Sequence, residues 1–243
     1  NLNFLSGSGD VHAFVVTSTV PEEAKSNVSV NLALALTESG KKVVLVDCDL
    51  RKPVLHRYLK AGHNLKGVSN VLSRQVALSD ALVEPKGIPN LTFLPAGTTP
   101  PNPSELLSQP QMQEMVDTLR GSYDFVILDA PPISMVTDAA VIGRIVDGAL
   151  FVVRSTDAVK TALEKLQDAG VKVLGAVLTR YDAKKSLKRS DYGYGYYYYN
   201  SNYSYGTPPP DSISESAAEK SCLTSKKRHN GKEKHSVHTE DET

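Results

Sequence analysis

Six short runs rich in Val, Ile and Leu, separated by segments of helical periodicity, recur between residues 13 and 179 and limit the folds open to this chain. The runs cover residues 13–17, 42–47, 91–95, 125–129, 148–154 and 174–179. Most lack the alternating polar residues of a strand with one wet face, so they read as strands of a parallel sheet buried on both sides. Helical patterns occupy residues 25–38, 111–120, 137–146 and 158–169. Gly40 and Gly170 follow two of these, in the place of C-terminal caps. Such alternation predicts an α/β fold: a doubly wound, mainly parallel sheet with helices on both faces. Residues 98–103 form a proline-fixed loop ahead of Ser104, which reads as a helix cap.

Beyond about residue 183 the pattern breaks. Lys184, Lys185, Lys188 and Arg189 precede a Tyr/Gly run that holds eight of the eleven tyrosines. Residues 211–243 are polar and poor in large apolar side chains, which predicts disorder. The expected layout is a globular domain at 1–182 and a flexible tail at 183–243. Lys plus Arg and Asp plus Glu both number 27, so net charge offers no attraction for nucleic acid. No apolar run approaches the roughly 18 residues of a membrane span. Two cysteines, Cys48 and Cys222, make neither a disulfide framework nor a zinc pattern, which suits a reducing cytosol. The opening at Asn1 rather than Met reads as the interior of a longer sequence.

In open α/β sheets, ligands gather where strands end and helices begin. Three apolar runs here lead into charge at such junctions: TSTVPEEAKSN after the first, VVLVDCDLRKP at the second and FVILDAPP at the fourth. A helix N-terminus offers unpaired amides and a positive dipole end to an anion. Lys25 in that first turn adds a full positive charge for phosphates, and Ser26 a hydroxyl for Mg²⁺. Asp47, Asp49 and Asp129 are oxygen ligands of the kind Mg²⁺ takes, directly or through water. One of the two aspartates after the second run could accept a proton from an attacking hydroxyl. Singly, a lysine starting a helix is usually solvated and an aspartate ending a strand usually a turn residue. Their order and spacing together make phosphate handling the specific reading.

From Val15 to about Asp182 the chain resembles the catalytic domain of the bacterial tyrosine kinases that control capsule and exopolysaccharide synthesis. The phosphate loop matches at Thr17, Ser18, Pro21, Glu23, Lys25 and Ser26, followed by Asn31, Leu32 and Ala33. The family's Asp-x-Asp-x-Arg-x-Pro motif is met in full by Asp47, Asp49, Arg51 and Pro53. Leu94–Gly97, Pro101–Leu107 and Asp124–Pro132, a Walker B segment, also match, and the tyrosine cluster completes the likeness. The resemblance implies a P-loop NTPase-like fold and an ATP- and Mg²⁺-dependent protein-tyrosine autokinase. It makes Lys25, Asp47 and Asp49 catalytic. Pro21, Glu23, Ala24, Lys25, Ser26, Asn27 and Arg51 would bind nucleotide, with Arg51 serving either phosphate charge or a subunit contact. Ser26, Asp47 and Asp129 would hold the metal. Tyr192, Tyr194, Tyr196, Tyr197, Tyr198, Tyr199, Tyr203 and Tyr205 would accept phosphate. It further implies a ring-like homo-oligomer when the N-terminal helix that precedes Asn1 in relatives is present, a membrane-embedded activator of the polysaccharide co-polymerase type, no nucleic-acid partner, and a cytoplasmic place at the inner face of the plasma membrane.

Three positions of the phosphate loop depart from the family. Glu22 and Ala24 stand where relatives have glycine, and Asn27 where they have threonine. Glycine lets the loop adopt positive φ and approach phosphate closely. A carboxylate ~5 Å from a phosphate charge costs ~3 kcal/mol at an effective dielectric near 20, about a hundredfold in affinity, unless it turns to solvent. Thr179 replaces an asparagine that relatives use at the base. Two alternatives follow: a pseudokinase scaffold that only accepts phosphate, and a partitioning-type ATPase, whose relatives carry a two-lysine loop this chain lacks.

Overall fold

The computed structural model describes residues 11–62, 64–154 and 159–179. Six strands form a single parallel sheet in the order β3-β2-β4-β1-β5-β6: β1 Ala13–Ser18, β2 Val43–Asp47, β3 Leu91–Leu94, β4 Phe125–Asp129, β5 Ala149–Val153 and β6 Val173–Leu178. The sheet predicted from sequence is thus present, with strand ends displaced by about one residue. Within each strand successive side chains point to opposite layers. Ala13, Val15, Val44, Val46, Val126 and Leu128 enter one core, whereas Phe14, Val16, Leu45, Phe93 and Ile127 enter the other. In β1 to β5, burial on both faces is why these runs carry no polar alternation.

Helices cover both faces. The second core is closed by α1, Lys25–Glu38, whose Ser26, Ser29, Val30, Ala33, Leu36 and Thr37 make one buried stripe at helical spacing. The helix ends as expected: Gly40 has φ +79° and donates to Thr37 O, while Lys41 N reaches back to Leu36 O. A side chain at Gly40 would be strained by that left-handed backbone. Three short helices went unpredicted, α2 Leu55–Tyr58, α3 Val68–Leu72 and α4 Leu78–Ala81. One turn holds too few residues to display a period. They are followed by α5 Pro103–Leu107, α6 Pro110–Arg120, α7 Asp138–Gly143 and α8 Val159–Asp168.

Two expectations need correction. Ser104 is not a cap: Pro103 opens α5 and Asn102 precedes it, because a proline at the first helical position forfeits no intrahelical bond. The helix expected at 137–146 stops at Gly143. There the chain presses on the turn that leads into β6, since a β-carbon added to Gly143 would lie 2.6 Å from Val171 Cγ1. The tail and its tyrosines lie outside the described residues. Among those described, no helix is long and apolar enough to cross a membrane.

Topology sets the position of the site. From β1 the chain crosses over β4 to reach β2, and from β4 it crosses over β1 to reach β5. The two crossovers diverge between β1 and β4, and the loops at the carboxyl ends of these strands open a crevice. Asp47 and Asp129, the last residues of β2 and β4, are partners in the same register.

Candidate active site

The loop from β1 to α1 carries the chemistry. Its residues Glu22 and Ala24 have φ of +65° and +69°, the left-handed region. Ala24 flanks the first residue of α1 and supplies no side-chain cap, and the first turn has no acidic residue. The amides of Lys25, Ser26 and Asn27 therefore have no acceptor within the helix, Val28 N being the first to close a turn, on Ala24 O at 2.9 Å. A lysine at this end opposes the helix dipole. What makes it tolerable is a pair of acids: Lys25 Nζ lies 3.1 Å from Asp129 Oδ2 and 3.2 Å from Asp49 Oδ2.

Asp129 is the anchor of the cluster. Its side chain is fully buried and accepts from Ser26 Oγ at 2.6 Å, Ser29 Oγ at 3.0 Å and Lys25 Nζ. Burial nevertheless dominates and pushes its carboxyl above the ordinary range, against Lys25 and the hydroxyls, which lower it. Burial would lower the Lys25 ammonium, but Asp129 and Asp49 outweigh that and hold it above its usual value. Cys48, wholly buried beside these acids, is pushed well up, first by burial and then by Asp47, so it stays an inert thiol.

Most of the residues singled out in the sequence come together. Pro21, Ala24, Lys25, Ser26, Asn27, Asp49 and Arg51 line one cleft of about 500 Å³. Its remaining walls include Val54, Tyr58, Met135 and Val136, and Tyr58 and Met135 are exposed. Glu22 also borders the cleft but is exposed. The side chain thus meets solvent, and the charge penalty falls toward the water limit, about 1 kcal/mol at ~5 Å. Asn27 accepts from Asn31 Nδ2 at 2.9 Å.

Asp47 belongs elsewhere. Its Oδ1 accepts from Asp49 N and its Oδ2 from Leu55 N, each at 3.2 Å. It borders a separate cavity of about 200 Å³ with His56, Phe93 and Gly97. Its carboxyl is pushed up to about 8, first by burial and then by Asp129. The three-carboxylate metal cradle expected from sequence is therefore not assembled. Among the described residues no group of three His, Cys, Asp or Glu side chains is set to hold a metal. The physical reason is the turn at the end of β2: Asp47 accepts from the Asp49 and Leu55 amides, while Lys25 lies between Asp49 and Asp129. Mg²⁺ still fits what remains. Ser26 Oγ, Asp129 and Asp49 are oxygen donors, and Mg²⁺ keeps several waters rather than needing an all-protein cage.

Sequence reasoning missed Asp138 and Ser29. Asp138, fully buried at the start of α7, accepts from Arg51 Nε at 3.2 Å and from Ser104 Oγ, and Ser104 Oγ accepts from Arg51 Nη2 at 2.8 Å. Arg51 thereby ties the Asp49 loop to α5 and α7. In sequence Asp138 looks like any acid in a first helical turn, so no signal marked it. Asp138→Ala is expected to lower unfolding free energy by about 2 kcal/mol in a urea titration. This is less than a fully buried pair would lose, because Arg51 is partly exposed and can turn to water. An unchanged midpoint would show that the network is dispensable.

Residues 23–174 match the AAA domain family. Tyrosine-protein kinase YwqD of Bacillus subtilis (strain 168) is 37% identical over 197 residues, covering 79% of this chain and 81% of that protein. Among solved structures, the kinase domain of Escherichia coli tyrosine kinase ETK superposes with a TM-score of 0.69 at 32% identity, over 80% of this chain and 76% of that one. The septum site-determining protein MinD of Pyrococcus horikoshii OT3, complexed with Mg-ADP, gives a TM-score of 0.60 at 25% identity, over 74% of this chain and 77% of that one.

Proposed function

This chain belongs to the bacterial tyrosine-protein kinase family, and from that premise we propose that it is an ATP- and Mg²⁺-dependent protein-tyrosine kinase acting on its own tail. The observation that carries the reading is the Lys25–Ser26–Asp129–Asp49 cluster at the open start of α1. Amides at that helix start take the β- and γ-phosphates, and Lys25 swings from its acids to neutralise them. Ser26, Asp129 and Asp49 hold Mg²⁺, which supplies further charge neutralisation on the phosphate oxygens. Asp49, on the cleft beside Lys25, accepts the phenol proton of the incoming tyrosine. Asp47, facing the other cavity, holds the loop through the Asp49 and Leu55 amides. The acceptors are Tyr192, Tyr194, Tyr196–Tyr199, Tyr203 and Tyr205, and the process regulated is capsular or exopolysaccharide synthesis or export. A membrane-embedded activator keeps the protein at the inner face of the plasma membrane, with copies of the chain in a ring.

The test is incubation with ATP and Mg²⁺, with and without an activator segment, read by phosphotyrosine mass spectrometry. Phosphate on the Tyr192–Tyr205 cluster is the expected result; none in the activated protein overturns the reading. One observation favours the pseudokinase instead: non-glycine residues at left-handed φ in the phosphate loop, each costing about 1–2 kcal/mol. Calorimetry on Glu22→Gly/Ala24→Gly separates the two. A gain in ATP affinity of less than about tenfold is expected, because Glu22 already faces solvent. Binding that appears only in the double variant would favour the scaffold.

A further inference from the structure

Glu23 is a buried acid whose carboxylate accepts from three main-chain amides. Its Oε2 accepts from Thr19 N at 2.7 Å and Val20 N at 3.0 Å, and its Oε1 from Arg154 N at 2.9 Å. Its carbonyl oxygen accepts from Thr179 Oγ1 at 3.0 Å, and Thr179 N donates to Val153 O at 2.8 Å. Two of these bonds close the loop on itself, and two fasten it to the ends of β5 and β6. Glu23 stands between Glu22 and Ala24, the two loop residues in the left-handed region. Backbone held in that region persists only where its surroundings over-determine it.

We propose that Glu23 is a positioning residue: it braces the phosphate loop in its binding shape and, with Thr179, locks that shape to the ends of β5 and β6. The carboxylate takes up the amides of Thr19 and Val20, so the loop presents those at the start of α1 to an anion. In most loops of this type glycine makes the turn without strain; here a buried carboxylate does the holding. Thr179 accordingly acts through its hydroxyl on the loop.

The consequence for affinity rests on the kinase reading; the brace itself does not, and the experiment keeps them apart. Amide hydrogen exchange is followed in the nucleotide-free full chain for wild type, Glu23→Gln, Thr179→Val and Thr179→Ser, and Mg-ATP affinity is measured by calorimetry. In Glu23→Gln, exchange at Thr19, Val20 and Arg154 is expected to accelerate about tenfold or more while amides of β2 and β4 keep their rates, and Kd for Mg-ATP is expected to rise about tenfold. Thr179→Val is expected to loosen the loop to a smaller degree, and Thr179→Ser, which keeps the hydroxyl, to restore wild-type exchange. Wild-type rates at Thr19 and Val20 in Glu23→Gln would overturn the proposal. So would equal acceleration throughout the sheet, which would mark a purely global role. A wild type that binds no Mg-ATP would remove the kinase reading and leave the exchange result to decide the brace.

Discussion

Lys25→Met is expected to cut phosphotyrosine formation by at least about a hundredfold and also to destabilise the fold by about 2–3 kcal/mol. The first effect follows from electrostatics: one preorganised donor on the transferring group is typically worth 10²–10³ in rate. The second is particular to this site. A lysine at a helix start is ordinarily solvated, but Lys25 is nearly buried and stands within 3.2 Å of both Asp49 and Asp129. Removing one partner of a buried pair costs about 3–5 kcal/mol because the other charge is stranded. Asp129 keeps two serine hydroxyls and can take up a proton, so the loss should sit below that range. Urea unfolding and phosphotyrosine mass spectrometry read the two effects separately. A variant that unfolds at the wild-type midpoint would show that the ammonium does not hold the acids together.

The nucleotide-free protein is expected to lose roughly 4 kcal/mol of stability between pH 5 and pH 8, and Asp47→Asn to lose much less. Asp47 titrates near 8 in the folded chain against 3.8 as its ordinary value. Between those values the folded state keeps a proton that the unfolded state has released, so stability falls by about 1.4 kcal/mol per pH unit. Below pH 4 both states are protonated and above pH 8 both are ionised, so the slope vanishes at either end. Asp129 is also raised and acts in the same direction. Lys25, raised from 10.5, changes stability only well above this window. Asp147 is lowered, its burial outweighed by the Ala13 and His12 amides and Arg120, so its contribution is complete before pH 5. Chemical unfolding at four or five pH values measures the slope. A flat or rising profile in the wild type would show that Asp47 is ionised in the folded chain.

How much of this was legible beforehand depends on the reach of the interaction. The six strands and α1 were readable because hydrophobic patterns report burial residue by residue, and the cap at Gly40 because its left-handed backbone leaves a chemical trace. Lys25, Ser26 and Asp129 were readable as a site because they fall at strand–helix junctions in the right order. Helices of a single turn left no period to find. Asp138 left no trace either, since an acid in a first helical turn looks the same whether it meets water or Arg51.

The two aspartates of the second motif mark the boundary between the two kinds of information. Spaced two apart, they would share a face if the strand continued, and both read as metal ligands. The strand ends at Asp47, the chain turns, and Asp49 N donates back to the Asp47 carboxyl. One acid therefore faces the lysine and the other a different cavity. Glu22 shows the same limit: its charge was plain in the sequence, but only the packed loop turned it to solvent. Local composition and order determined the fold and the type of chemistry. The direction in which each charged group points was decided by the long-range contacts that fix where chain elements stop and turn.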